Sequence, residues 1–203
     1  TFEVEGNISS QFITGLLYTL PLLDGDSEIV IKGPLESKGY VDLTLKILEM
    51  AGIEVKNNDY KSFLIKGNQT YKGFDYTVEG DYSQVAFWIV AGILSEEINC
   101  KNVYKDSLQG DRAIVEIVQR MGANLEINDK NIKVFPGKTK GTVIDVSQCP
   151  DIAPVLTVLA ALSEGETRII NAERLRIKES DRITSMRTEL NKLGADIREE
   201  GDT

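Results

Sequence analysis

The chain repeats itself, and a repeat constrains the fold more than any other property of a sequence. Each copy must be one supersecondary unit that buries its apolar face against its neighbours. A glycine that closes a helical pattern recurs in Met50-Ala51-Gly52-Ile53-Glu54-Val55, in Met121-Gly122-Ala123-Asn124-Leu125 and in Leu193-Gly194-Ala195-Asp196-Ile197, at spacings of 70 and 72 residues. Glycine is the usual residue just past a helix end, because the left-handed backbone there clashes with a Cβ. Apolar residues at helical spacing precede the first two: Val41, Leu45, Leu48 and Met50, then Ile114, Ile117, Val118 and Met121. A short strand is expected after each glycine, over 53–55, 125–127 and 195–197. The first two copies add a second strand, over 63–65 and 132–134.

Each copy also opens alike. A polar turn leads into a nearly all-apolar helix: Ser9-Ser10-Gln11 before 12–23, Tyr82-Ser83-Gln84 before 85–94, and Cys149-Pro150-Asp151 before 152–162. Such helices are expected at the centre of their domain. Ser, Ser and Asp at the three openings suit helix capping. Pro154 lies close enough to a helix start to be tolerated. A strand is expected after each first helix, over 28–32, 99–103 and 167–171. The unit reads helix, strand, helix, strand, often with one strand more. The expected fold class is α/β (α+β), with helices packed inside and sheets outside.

Composition narrows the functions. The 203 residues are 41% hydrophobic and 27% charged, enough for a real core in one large or two small soluble domains. No apolar stretch reaches the ~18 residues of a membrane span. The net charge of −9 disfavours a nucleic-acid partner, and no Lys/Arg run is interleaved with aromatics. There is no histidine, so histidine triads, metal sites and general bases are excluded, and acid–base work falls to Asp, Glu, Lys or Tyr. Cys100 and Cys149 lie far apart without metal-ligand spacing and read as reduced thiols of a cytosolic protein. No metal and no organic cofactor is implied.

The most specific segment is Arg176-Ile177-Lys178-Glu179-Ser180-Asp181-Arg182-Ile183. Ile183, Met186, Leu190 and Leu193 form one apolar stripe, which predicts a helix here. Ser180 is the expected N-cap, Gly194 the residue past the end, and Lys192 sits in the last turn. A helix mouth favours anions through its free N–H groups and its dipole. Lys178 and Arg182 reinforce that preference, and Glu179 is placed to exchange a proton. The charges alone more often mark a solvated helix face. The order of the residues adds more. R-x-K-E-S-D-R-I, followed by Glu189-Leu190, resembles the 5-enolpyruvylshikimate-3-phosphate synthase family, the enolpyruvyl transferases of the shikimate pathway.

That resemblance implies two halves of three βαβαββ units each, built around buried parallel helices, closing on substrate across a hinge. It covers essentially the whole chain, whereas the chain spans about half of the family's usual length. It is therefore expected to be an internal fragment, as Thr1-Phe2-Glu3-Val4, which reads like the interior of a strand, also suggests. Residues 1–77 would be the last unit of the N-terminal half and 78–203 the first two units of the C-terminal half. The hinge would fall near Val78-Glu79-Gly80-Asp81.

The family reaction moves the enolpyruvyl group of phosphoenolpyruvate to the 5-hydroxyl of shikimate-3-phosphate by addition and elimination, releasing phosphate. Carried over residue by residue, Ser9 and Ser10 would hold the 3-phosphate and Gln11 would lie between the two substrates. From the residues alone, Ser9-Ser10-Gln11 suits helix capping better than phosphate binding, and the resemblance favours the phosphate role. Ser37-Lys38-Gly39-Tyr40 resembles a second segment, with Ser37 on the phosphate and Tyr40 on the ring; Gly39 stands where proline is usual. Asp151 would accept or orient the hydroxyl proton, with a plain helix cap as its other reading. Lys178 would contact shikimate-3-phosphate, Glu179 would exchange the proton at C3, and Arg182 would bind phosphoenolpyruvate. Arg174 replaces a frequent asparagine and is given no role.

Several of the family's cationic segments, a glycine-rich loop among them, have no counterpart in these residues, so the fragment alone is expected to be inactive. The expected partners are the two small substrates, with no nucleic acid and no membrane. The parent is expected to be a cytoplasmic monomer and the fragment to be capable of self-association. The rival readings are the related transferase acting on UDP-N-acetylglucosamine, an RNA 3′-phosphate enzyme disfavoured by the charge, and a folded repeat module without catalysis.

Overall fold

Strands and helices alternate from the first residues: β1 (Phe2–Glu5), α1 (Ser10–Thr19), β2 (Ser27–Lys32), α2 (Lys38–Met50), β3 (Val55–Asn58) and β4 (Ser62–Ile65). The structure, a computed structural model, describes residues 1–203, and these six elements belong to its first unit, Thr1–Val78. β1 and β2 are parallel, β4 is antiparallel to both β2 and β3, and the order is β1-β2-β4-β3. Alternate residues of β2 and β4 point inward, so Ile29, Ile31, Phe63 and Ile65 are buried together with Ile13 and Leu17 of α1 and Val41 and Leu48 of α2. Each helix returns from the end of a parallel strand, so both helices start at the same end of the sheet. The loops at that end are fastened to each other. Gly6 N donates to Lys32 O (2.9 Å) and Glu36 N to Gly6 O (3.1 Å). A Cβ on Gly6 would lie 2.6 Å from Pro34 O, so the approach requires glycine.

The second unit, Glu79–Thr203, holds two further copies. The first comprises α3 (Tyr82–Leu94), β5 (Ile98–Lys101), α4 (Ala113–Arg120), β6 (Asn124–Ile127) and β7 (Asn131–Phe135), with an antiparallel sheet ordered β5-β7-β6. The second comprises β8 (Val143–Asp145), α5 (Ala153–Ala161), β9 (Arg168–Ile170) and α6 (Arg182–Lys192), with β8 and β9 parallel. One core serves both copies, drawing on Ile89 and Ile93 of α3, Ile114 and Val118 of α4, Val134 of β7, and Leu156 and Leu159 of α5. No helix is long and apolar enough to cross a membrane.

The three glycines end their helices identically. Gly52, Gly122 and Gly194 take φ of 77°, 96° and 96°. The residue after each donates five residues back: Ile53 N to Leu48 O (2.8 Å), Ala123 N to Val118 O (2.9 Å) and Ala195 N to Leu190 O (3.1 Å). This is the Schellman arrangement, and it satisfies carbonyls the helix leaves open. The strands read over 63–65, 125–127 and 132–134 lie within β4, β6 and β7.

Three expectations are corrected. Residues 195–197 form no strand. β3 and β6 exist by pairing with β4 and β7, which begin ten (62 − 52) and nine (131 − 122) residues after the closing glycine. Residues 195–197 pair with no second strand and are irregular. After Gly52 the strand begins at Val55 rather than Ile53, because Ile53 is held in the helix cap. Last, two of the three apolar helices, α1 and α3, are not buried all round. Phe12 on α1 and Phe87 and Trp88 on α3 are each more than half exposed. Within its unit each helix packs one face on its own sheet and neighbouring helix, and nothing in that unit covers the opposite face.

Candidate active site

Every copy sets the mouths of its two helices side by side, and the candidate residues sit at those mouths. In the third copy Asp151 lies in the 3-10 turn Pro150–Ile152 that leads into α5, while Lys178 and Glu179 follow the turn Glu173–Ile177 and Arg182 opens α6. Arg182 Nη1 donates to Asp151 Oδ1 (2.8 Å), Lys178 Nζ lies 3.2 Å from the same oxygen, and Arg182 Nη2 donates to Glu179 Oε2 (2.9 Å). The four residues singled out from sequence in this unit thus converge. Glu179 is the open one, its side chain 84% exposed against 24% for Lys178 and Arg182. Arg174 is buried, with Nη1 3.5 Å from Ser147 O.

The caps differ from expectation. Asp181, not Ser180, caps α6: its Oδ1 accepts from Thr184 N (3.1 Å) and its Oδ2 from Thr184 Oγ1 (2.9 Å). The helix begins at Arg182, and the carboxylate one position before it reaches the amide of the third residue. Nor does Asp151 act as a cap, because no side chain caps α5; its carboxylate faces two cations instead.

These contacts set the protonation states. Burial pushes the Asp151 carboxyl upward, but the charge of Lys178 and the hydrogen bonds from Arg182 and Lys178 outweigh it and hold the group below its ordinary value. Glu179 is also held low, first by its own backbone N–H and then by Arg182. Both carboxylates are therefore charged at neutral pH. The site as it stands offers two proton acceptors and one guanidinium fork divided between them.

In the first copy Ser9 caps α1, its Oγ accepting from Gln11 N (3.3 Å). Ser10 is buried and Gln11 exposed. Ser37 precedes α2 with φ 54° and ψ 42°, a left-handed conformation that is strained for serine, and its side chain does not cap the helix. Tyr40 lies half-buried in the first turn of α2. Thr14 and Thr44 share a hydrogen bond of 3.0 Å between the two helices, about 6 Å and about 9 Å along the axes from the helix starts. Ser9, Ser10, Gln11, Ser37 and Tyr40 therefore gather at one end of the first unit.

The second copy has the same juxtaposition but closes it. Asp81, rather than Ser83, caps α3, accepting from Ser83 N (2.8 Å). The Ser83 hydroxyl donates to Asp111, a fully buried residue in the turn Gly110–Arg112 that leads into α4. Elsewhere, both cysteines are free and buried, and burial pushes the Cys149 thiol up to about 12. No group of three or more His, Cys, Asp or Glu side chains converges to hold a metal.

Sequence reasoning gave no role to Arg176 or Asp181, which hold the loop between them. Asp181 carried a signal, an Asp three residues before Thr184 at the spacing of a capping bond. The cap rules do not separate it from Ser180 beside it.

The comparisons with known proteins agree with one another. The family model described as EPSP synthase (3-phosphoshikimate 1-carboxyvinyltransferase) matches residues 1–203. A 3-phosphoshikimate 1-carboxyvinyltransferase of Clostridium perfringens strain 13 is 61% identical over 199 residues, covering 98% of this chain and 47% of the relative. One of Clostridioides difficile strain 630 is 56% identical over 202 residues, covering 100% of this chain and 46% of the relative. Among solved structures, an EPSP synthase from Acinetobacter baumannii superimposes with a TM-score of 0.79 at 25% identity, covering 99% of this chain and 47% of that one. The chain spans about half the length of the curated relatives it matches.

Proposed function

Because the chain belongs to the EPSP synthase (3-phosphoshikimate 1-carboxyvinyltransferase) family, we propose that it carries part of the machinery that transfers the enolpyruvyl group of phosphoenolpyruvate to the 5-hydroxyl of shikimate-3-phosphate. The reading assigns residues 1–77 and 78–203 to the two halves of that protein. The activity belongs to the whole protein, and these 203 residues alone bind substrate without turnover.

One observation carries the reading: Asp151 and Glu179 divide a single arginine fork, with Lys178 beside Asp151. Both substrates are polyanions and protons must move twice, so the chemistry calls for cations flanked by carboxylates. Asp151 takes the proton of the 5-hydroxyl as its oxygen bonds to C2 of phosphoenolpyruvate. Glu179 delivers a proton to C3, giving a tetrahedral adduct. In the elimination Glu179 takes a proton back from the C3 methyl group, the C2–O bond to phosphate breaks, and phosphate leaves with the proton that Asp151 held. Arg182 is assigned to phosphoenolpyruvate, whose planar carboxylate or phosphate fits its fork. That engagement draws Arg182 from Glu179 and lets the carboxyl take up the proton it must donate. Lys178, Ser9, Ser10, Gln11, Ser37 and Tyr40 are assigned to shikimate-3-phosphate, with Gln11 also toward phosphoenolpyruvate. Small, charged substrates suit a cytoplasmic biosynthetic enzyme.

Calorimetric titration of this chain with shikimate-3-phosphate, beside UDP-N-acetylglucosamine, tests the reading. Saturable heat with the first and none with the second is expected. The reverse preference would overturn it in favour of the related UDP-sugar chemistry.

A further inference from the structure

We propose that Arg176 is the positioning residue of this site, a tie that sets the loop carrying Lys178 and Glu179. The inference rests on the reading above for what the loop does, but not for how it is held. Lys178, Glu179 and Ser180 make no backbone-to-backbone hydrogen bond. No main-chain bond therefore fixes the segment that displays the two charged groups; it is held at its ends and by the Lys178–Asp151 and Glu179–Arg182 side-chain pairs. One end is the turn Glu173–Ile177 and the other is Asp181, the cap of α6.

Arg176 joins these ends. Its Nη1 donates to Asp181 Oδ2 (3.3 Å), five residues on and across the unbonded loop. The rest of the guanidinium reaches the segment after α6: Nη2 donates to Glu199 Oε1 (2.8 Å) and to Gly201 O (2.5 Å), and Nε to Asp202 Oδ1 (3.4 Å). Glu199 is bound from the other side by Arg187 Nη1 of α6 (3.2 Å). One planar group thus meets four acceptors on two segments, a fan that a lysine ammonium does not reproduce. Asp181 holds Thr184 and so fixes the first turn of α6, where Arg182 reaches Asp151 and Glu179. Arg176 acts through Asp181 on Arg182 and touches neither substrate.

The test uses Arg176→Lys, which keeps the charge, and Asp181→Asn, which keeps a capping oxygen, in the 203-residue chain. Three quantities are followed: the thermal transition, the titration of the Glu179 carboxyl by NMR, and the affinity for inorganic phosphate. The expected result is a retained cooperative transition, a Glu179 titration moved up toward its ordinary range, and phosphate binding weakened about tenfold, as losses of a supporting contact commonly are. The double variant should then cost little more than either single one, because both cut the same tie. A lowered transition temperature with Glu179 and phosphate affinity both unchanged would overturn the proposal and leave Arg176 a stabilising ion pair. If the unsubstituted chain does not bind phosphate, the anion role assigned to Lys178 and Arg182 fails, while the Glu179 titration still decides the tie. Should Arg176→Lys not fold, Asp181→Asn decides by the same two readouts.

Discussion

Asp151 is the residue on which burial and charge oppose each other most directly. Burial raises its carboxyl, Lys178 and Arg182 lower it, and the cations win. Its folded value lies below the ordinary 3.8, so its contribution to stability is present above that value and is lost as pH falls through the folded one. Denaturant unfolding from neutral to acid pH should show this loss, and it should shrink in Arg182→Ala. An acid limb unchanged by that substitution would deny the coupling. Ser37 gives a second residue-scale expectation. Its left-handed backbone strains any side chain, so Ser37→Gly should keep stability within about 1 kcal/mol, relief of strain offsetting the greater freedom of the unfolded chain. Ser37→Val should cost about 2 kcal/mol. Only the hydroxyl would then explain any affinity that Ser37→Gly loses. The sequence singled out Asp151, Lys178, Glu179 and Arg182, and the structure brings their side chains together. It did not reveal that Arg182 divides its fork or that Arg176 ties the loop. Both depend on distances across the helix mouths, and residue order does not encode those.

Among the elements, helix ends were more legible than strands. A closing glycine is a local requirement on φ, so Gly52, Gly122 and Gly194 could be read from their neighbours alone. A strand is a property of two segments. Residues 195–197 carry the same pattern as 125–127, yet only the latter has a partner, β7. Apolar periodicity likewise could not tell which side of α1 or α3 packs, since these helices are apolar nearly all round. The loops that align α1 with α2 depend on Gly6. Its substitution by alanine forces a Cβ against Pro34 O and Ile31, and the first unit should lose about 2 kcal/mol or more, an amount typical of overpacking against backbone. Equilibrium unfolding followed by a probe in residues 1–78 checks this, and an unchanged midpoint would show that the loops can shift freely.

For the whole molecule, the exposed aromatic residues matter most. Phe12, Phe87 and Trp88 stand in water, and apolar surface of this kind promotes association. Sedimentation should show association rising with concentration, and Phe87→Ser with Trp88→Ser should reduce it. A monomer at all concentrations would contradict this. The proposed division of labour follows the repeats. One architecture presents paired helix mouths three times: the second pair is sealed by Ser83 and Asp111, while the first offers hydroxyls and the third offers cations with carboxylates. The central claim is that the first pair serves the phosphorylated ring substrate and that Arg182 in the third serves the cosubstrate. Calorimetric titration with shikimate-3-phosphate tests it most directly, comparing the unsubstituted chain with Ser10→Ala and Arg182→Ala. The account predicts binding that Ser10→Ala abolishes and Arg182→Ala retains. Binding that survives Ser10→Ala but disappears in Arg182→Ala would contradict it.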